Sequence, residues 1–98
     1  MFCAVYKFTV KPDQEREFRQ LWNSLTRMIR QHQDSLGSRL HRSGAQDYIA
    51  YAQWPNRQTW KNPPPLPPMG EELRRRMKEC CEKIEVLFEL EVVDDLLG

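Results

Sequence analysis

Glycine and histidine are scarce in this chain, with four and two among 98 residues. No glycine-rich stretch is present to cradle a nucleotide phosphate. No His-x-x-x-His pair or acidic cluster stands at metal-ligand spacing, so neither a metal nor another resident cofactor is expected. Cysteine is low and odd in number, at three. Cys80 and Cys81 are adjacent, which suits neither a zinc pair nor a redox Cys-x-x-Cys, and reduced thiols in the cytoplasm are the expectation. No apolar run approaches the ~20 residues of a membrane span. Met1–Lys7 has no basic segment ahead of an apolar one, so no secretory leader is expected. Neither sign of charge dominates, with 15 basic against 14 acidic residues. A bulk field that would gather nucleic acid or an anionic membrane is therefore missing. The one basic run, Arg74-Arg75-Arg76 with Lys78, sits among Glu71, Glu72, Glu79 and Glu82 and reads as a solvated helix face of mixed pairs.

Patterning is what the chain does have. Residues 2–10 alternate, with Phe2, Ala4, Tyr6, Phe8 and Val10 on one side and Cys3, Val5, Lys7 and Thr9 on the other. That period predicts a strand. Pro12 stops it and Asp13 offers a helix N-cap. From 14 to 33 the period becomes helical, because Phe18, Leu21, Trp22, Leu25, Met28 and Ile29 make one stripe. Strands are predicted over 38–43 and 47–54, joined by a short turn. One helical turn is predicted at 56–61. Five prolines between Asn62 and Pro68 then exclude helix and central strand, leaving a stiff loop that could rim or cover a pocket. A second helix is expected over 70–84, with Cys80 and Cys81 as core residues, and a last strand over 86–93.

One domain with the order β-α-β-β-α-β is a ferredoxin-like α+β arrangement: a four-stranded antiparallel sheet with both helices on one face. The other face keeps apolar side chains without helices to cover them. A self-complementary homodimer is the commonest solution to that.

The run Tyr6-Lys7-Phe8-x-Val10-Lys11-Pro12, then Phe18-x-x-x-Trp22-x-x-Leu25-Thr26, Leu36-Gly37-Ser38-Arg39-Leu40-His41, and Tyr51-Ala52-Gln53-Trp54-Pro55 with Trp60, resembles the antibiotic biosynthesis monooxygenase domain family. The resemblance implies a dimeric α+β barrel with two sheets facing each other and a pocket between each sheet and its own helices. Activities in that family include cofactor-free oxygenation of polycyclic aromatics and oxidative haem breakdown, alongside many uncharacterised members. Haem-degrading relatives carry an Asn on the first strand, a Trp soon after the third strand and a His on the second helix. Here the Asn position falls on Tyr6, and the Trp position falls near Pro63 with Trp60 three residues earlier. The second helix has no histidine. Haem needs an axial ligand such as His, Cys or Tyr, so the haem branch is not the expectation.

Candidate residues follow from side-chain chemistry. His41 is the candidate general base, Arg39 beside it a cation for an oxyanion, and Tyr6 a hydrogen-bonding phenol. Trp22, Tyr51, Trp54 and Trp60 are candidates to line a slot for a flat aromatic ligand. Three functions stay open: a cofactor-independent monooxygenase acting on an aromatic or quinol, a non-catalytic ligand-binding or regulatory homodimer, and a structural dimer acting through its surface or its proline-rich loop. Strand parity, and with it the partition of these residues between the two faces, is not readable from the sequence.

Overall fold

The computed structural model describes residues 1–97. Its elements in chain order are β1 (Phe2–Val10), α1 (Glu15–His32), β2 (Gly37–Arg42), β3 (Asp47–Trp54), α2 (Arg57–Lys61), α3 (Pro68–Glu79) and β4 (Cys81–Glu91). The strands form one antiparallel sheet in the order β2-β3-β1-β4. The first and last strands are therefore neighbours, as expected for a ferredoxin-like α+β fold.

Register settles the parity. Ala4, Tyr6 and Phe8 oppose Ala52, Ala50 and Tyr48, and directly opposed residues share a face. Phe8 and Val10 pack with Phe18, Leu21 and Leu25 of α1 and Met77 of α3 in the main core. The even-numbered side of β1 thus lies under the helices. Cys3, Val5 and Lys7, opposed by Gln53, Tyr51 and Ile49, lie on the side without helices. At the centre of the core Phe18 is fully buried. Its ring stands 5.1 Å from that of Phe8 and 5.3 Å from that of Tyr48.

Three local expectations change. Asp13 does not cap α1. Its φ is 64°, a left-handed turn that Asp tolerates, and Gln14 takes the cap position without a side-chain bond. The second long helix stops at Cys80 rather than continuing to 84. Val10 pairs with Cys81, and the Lys11 amide donates to the Cys80 carbonyl, so strand pairing claims the chain from that point. Met77, Cys80, Cys81 and Ile84 satisfy a helical period, which is why the boundary is hidden in the sequence. The last strand, expected over 86–93, runs Cys81–Glu91 and does not alternate evenly. Tyr6 pairs with Val86 but Val5 pairs with Phe88, so Leu87 is an extra residue in a β-bulge. Val86 consequently faces the helices, whereas Phe88 and Leu90 face away from them.

The proline-rich segment is a strut. Leu66 is buried in the main core, and the buried Gln33 amide donates to the Pro64 carbonyl at 2.8 Å. The basic run of α3 meets three of its four predicted partners and one that was not predicted. Arg74 pairs with Glu71, Arg75 with Glu72 and Glu79, and Arg76 reaches Glu17 of α1. Exposed pairs of this kind contribute ~0.2–1 kcal/mol each.

All three cysteines are free and buried. Burial pushes the Cys81 thiol up to about 11 and raises Cys80 as well. An unfolded thiol ionises near ~8.5, so the unfolded chain loses its protons first as pH rises. Stability from these groups is complete below that value and falls as pH climbs towards the folded pKa. Urea midpoints should accordingly drop between pH 8 and pH 10.5. A flat midpoint across that range would contradict the assignment.

Candidate functional site

Between the sheet and the helices lies a cavity of about 210 Å³. Its walls come from β1 (Tyr6, Phe8), α1 (Trp22, Leu25, Ile29), β3 (Ala50, Ala52, Trp54), and α3 and β4 (Met77, Ile84). The small alanines of β3 leave the space that the larger side chains enclose. Larger grooves exist, such as one of about 580 Å³ on the outer side of α1 with Arg16, Arg19 and Arg27 on its wall. That groove is open and charged and offers no apolar enclosure of the kind small organic ligands use.

Polar groups in the cavity are few. Tyr6 is half-buried, and its hydroxyl oxygen accepts from the Trp60 indole N–H at 2.5 Å. Burial raises the Tyr6 phenol pKa, and the Trp60 bond partly opposes that rise. Ser38 donates to the Tyr51 carbonyl at 3.0 Å. Ser35 accepts from the Gly37 amide at 3.1 Å and points its hydroxyl at the Gln53 carbonyl, 3.4 Å away. Trp54 is 5% exposed, and its Nε1 has no hydrogen-bond partner among the described residues. Among the described residues, Lys78 is the one ionisable amine on the wall, and no histidine or carboxylate lines it.

The structure divides the predicted site residues between the two faces of the sheet. Tyr6, Trp22 and Trp54 come together on the cavity wall. Trp60 stands behind Tyr6, its ring 5.2 Å from that of Phe2. α2, which carries Trp60, is fixed by the Asn56 cap, which accepts from the Thr59 amide at 2.8 Å, and by the Arg57–Glu89 ion pair at 2.7 Å.

His41, Arg39 and Tyr51 do not join them. His41 opposes Ile49 and Arg39 opposes Tyr51 in the β2–β3 register, which puts all three on the helix-free side. His41 is exposed there and its Nδ1 lies 3.2 Å from the Ile49 carbonyl oxygen. Tyr51 receives a hydrogen bond from the Cys3 thiol at 2.8 Å. The expected pairing of His41 as base with Tyr6 and the tryptophans in one slot therefore fails on geometry, because a one-residue change of parity separates the two sets. The proline-rich loop is not the expected rim either, since none of residues 62–68 lies on the cavity wall.

Sequence reasoning missed Ser35, Ser38, Met77 and Lys78. Met77 and Ser38 carried a signal in their helical and strand spacing. Lys78 and Ser35 carried none.

A family profile described as "Antibiotic biosynthesis monooxygenase" matches residues 1–62, from β1 to just past α2. No curated protein matches the sequence. Among solved structures, the chain is similar to Rv0793 of Mycobacterium tuberculosis, with a TM-score of 0.74, 15% identity and 98% of each chain covered. It is similar to SnoaB, a cofactor-independent oxygenase from Streptomyces nogalater, with a TM-score of 0.73, 16% identity, and 99% of this chain and 97% of that one covered. A protein of Bordetella bronchiseptica gives a TM-score of 0.75 at 18% identity, with 94% of this chain and 96% of that one covered. At such identities these likenesses establish the fold alone. With the profile spanning most of its length, the chain belongs to the antibiotic biosynthesis monooxygenase family.

Proposed function

We propose that this protein binds a small, flat aromatic or quinol-type molecule in the cavity between sheet and helices. One observation carries the reading: Tyr6, Trp22 and Trp54 converge on a cavity with otherwise almost entirely apolar walls. Ring faces supply affinity there and the few polar groups supply orientation. Drug-sized ligands occupy ~300–1,000 Å³. A volume of about 210 Å³ favours a compact ring system, up to the size of an anthrone, over a larger polycycle.

Oxygenation of that molecule without a cofactor is the second part of the proposal, supported by the family and by the likeness to a cofactor-independent oxygenase. In such a reaction a ring-flanked CH2 becomes a carbonyl. One atom of dioxygen enters the product and the other leaves as water, so the substrate supplies all four electrons and no external reductant is needed. Among the described residues, the cavity wall holds no histidine or carboxylate base. The chemistry therefore suits substrates whose carbanion forms readily, with the protein excluding water and stabilising negative charge on oxygen.

Titration with a panel of naphthols, naphthoquinones and anthrones should quench tryptophan fluorescence saturably, and an oxygen electrode should record uptake with the anthrones, which carry the ring-flanked CH2. Absence of saturable quenching across the panel would sink the binding reading. Binding without oxygen uptake would leave a ligand-binding module.

The helix-free face supports the homodimer. Phe88 is 58% exposed and Leu90 42% exposed, and both lie beside β1 on the side bearing Val5, Ile49 and Tyr51. Two such sheets set face to face would bury these groups twice over and produce the barrel.

A further inference from the structure

We infer that the outer side of α1 is a docking surface for an acidic, extended segment of a partner protein, held by a row of arginines that the fold leaves without carboxylates. Arg16, Arg19 and Arg27 of α1 and Arg42 of β2 line one open groove of about 580 Å³. The first three stand at i, i+3 and i+11, which puts them on one side of the helix, away from the buried stripe of Phe18, Leu21 and Leu25. Among the described residues, Glu15 is the one acidic side chain on that wall, and none of the four arginines is ion-paired with a carboxylate. Elsewhere the chain treats arginine differently: Arg57, Arg74, Arg75 and Arg76 each pair with a glutamate. Like charges gathered without counter-charges repel one another, and an anionic partner removes that cost. Arg42 is held in advance. Its guanidinium lies 5.5 Å from the centre of the Tyr48 ring, and two of its N–H groups donate to the Tyr48 hydroxyl at 3.4 and 3.2 Å.

Length and charge decide the occupant. Arg16 and Arg27 lie far apart on α1, about 16 Å along the axis at ~1.5 Å per residue. A single small anion meets one end of that row. A series of carboxylates on an extended chain, rising ~3.3 Å per residue, follows the whole of it with about five residues. Gln20 and Ser24 lie on the same wall and can hydrogen-bond the backbone of such a segment. A nucleic-acid strand fits less well. Single strands take much of their affinity from exposed aromatic faces. Among the described residues no aromatic side chain lines this groove, and Tyr48 beneath Arg42 is 2% exposed. The net charge of +1 also denies a nucleic acid the long-range attraction it uses. A short acidic segment needs only the local row. Face-to-face pairing of the helix-free sheets would leave this side of α1 open, so the surface stands apart from both the dimer and the cavity.

The test is calorimetric titration of the full chain with an acetylated, amidated decapeptide of alternating glutamate and serine, which sets its carboxylates on one side when extended. Its glutamine counterpart, a ten-nucleotide thymidine strand and inorganic phosphate are titrated beside it. The glutamate peptide should bind saturably at about 20 mM NaCl and about tenfold or more weaker at about 200 mM. The glutamine peptide should not bind. Arg19→Glu combined with Arg27→Glu should weaken the glutamate peptide by about tenfold or more. Arg75→Glu combined with Lys83→Glu makes the same change of net charge at exposed positions elsewhere and should leave the affinity within about twofold. Should the α1 double variant fail to fold by circular dichroism, the arginine Nε–H signals of the wild-type protein decide, since those of Arg16, Arg19, Arg27 and Arg42 should shift with the peptide. Equal losses in the two double variants, or no shift of those signals, would overturn the assignment to this groove. Tighter binding of the thymidine strand would overturn the protein partner in favour of nucleic acid. Phosphate binding as tight as that of the peptide would overturn the extended occupant. Self-association at low salt that the α1 double variant abolishes would reassign the groove to the acidic residues of a second copy. No binding of the glutamate peptide would overturn the inference outright.

Discussion

Phe18→Ala should lower the unfolding free energy by about 3–5 kcal/mol, the cost of emptying a fully enclosed phenylalanine site. Phe18 is the largest fully buried side chain, and it joins α1 to β1 through Phe8 and to β3 through Tyr48. All three rings come from separate elements, so no single side-chain shift can refill the space. Domains of this size lose roughly 4–8 °C of melting temperature per kcal/mol. A drop on the order of 15–30 °C in a thermal scan is therefore expected. A change of only a few degrees would mean that the α1–sheet contact is not the organising core. Such a loss is a large share of the ~5–15 kcal/mol that stabilises a typical domain, so the variant should unfold at a markedly lower denaturant concentration.

Phe88→Asp should leave the circular dichroism spectrum almost unchanged and convert the proposed dimer to monomer. Phe88 is more than half exposed in the single chain, at 58%, and opposes Val5 on the helix-free face. Little intramolecular packing is lost on its removal. In a two-fold contact every substitution is present twice, and a short carboxylate cannot reach back to water from an apolar seam. Weakening of self-association by about 100-fold or more is expected, which corresponds to ~2.7 kcal/mol. Sedimentation velocity at micromolar concentration measures it. If the wild-type chain already sediments as a monomer, the barrel falls, while the cavity, built from one chain alone, does not.

Much of the architecture was legible in the residues. The alternation of Phe2 to Val10, the stripe from Phe18 to Ile29 and the run Asp47–Trp54 appear as β1, α1 and β3, because each is long enough for its period to be unambiguous. The boundary at Cys80–Cys81 was not legible, since those residues fit both periods and β1 decides between them by pairing. The bulge at Leu87 is likewise a property of two strands together and has no mark in either one.

The site shows the same division. The aromatic residues announced a slot, and three of them, Tyr6, Trp22 and Trp54, stand on the cavity wall. The faces of β2 and β3 were undetermined until the register was known. His41, Arg39 and Tyr51 were grouped with the others by chemical type, and the sheet holds them on its opposite side. The unpartnered Trp54 nitrogen has no counterpart in any one-dimensional pattern.

The neighbouring positions of β1 and β4 have a consequence for biosynthesis. Ribosomes extend chains at ~5–20 residues per second, so β1 waits for residues 11–80 to be made before its β4 neighbour exists. During that interval Val10 lacks Cys81, Tyr6 lacks Val86, and an apolar central strand has one open flank. The nascent polypeptide cannot complete its sheet until Glu91 has emerged, which makes the interval between the synthesis of β1 and that of β4 the period in which this sheet is most exposed to aggregation.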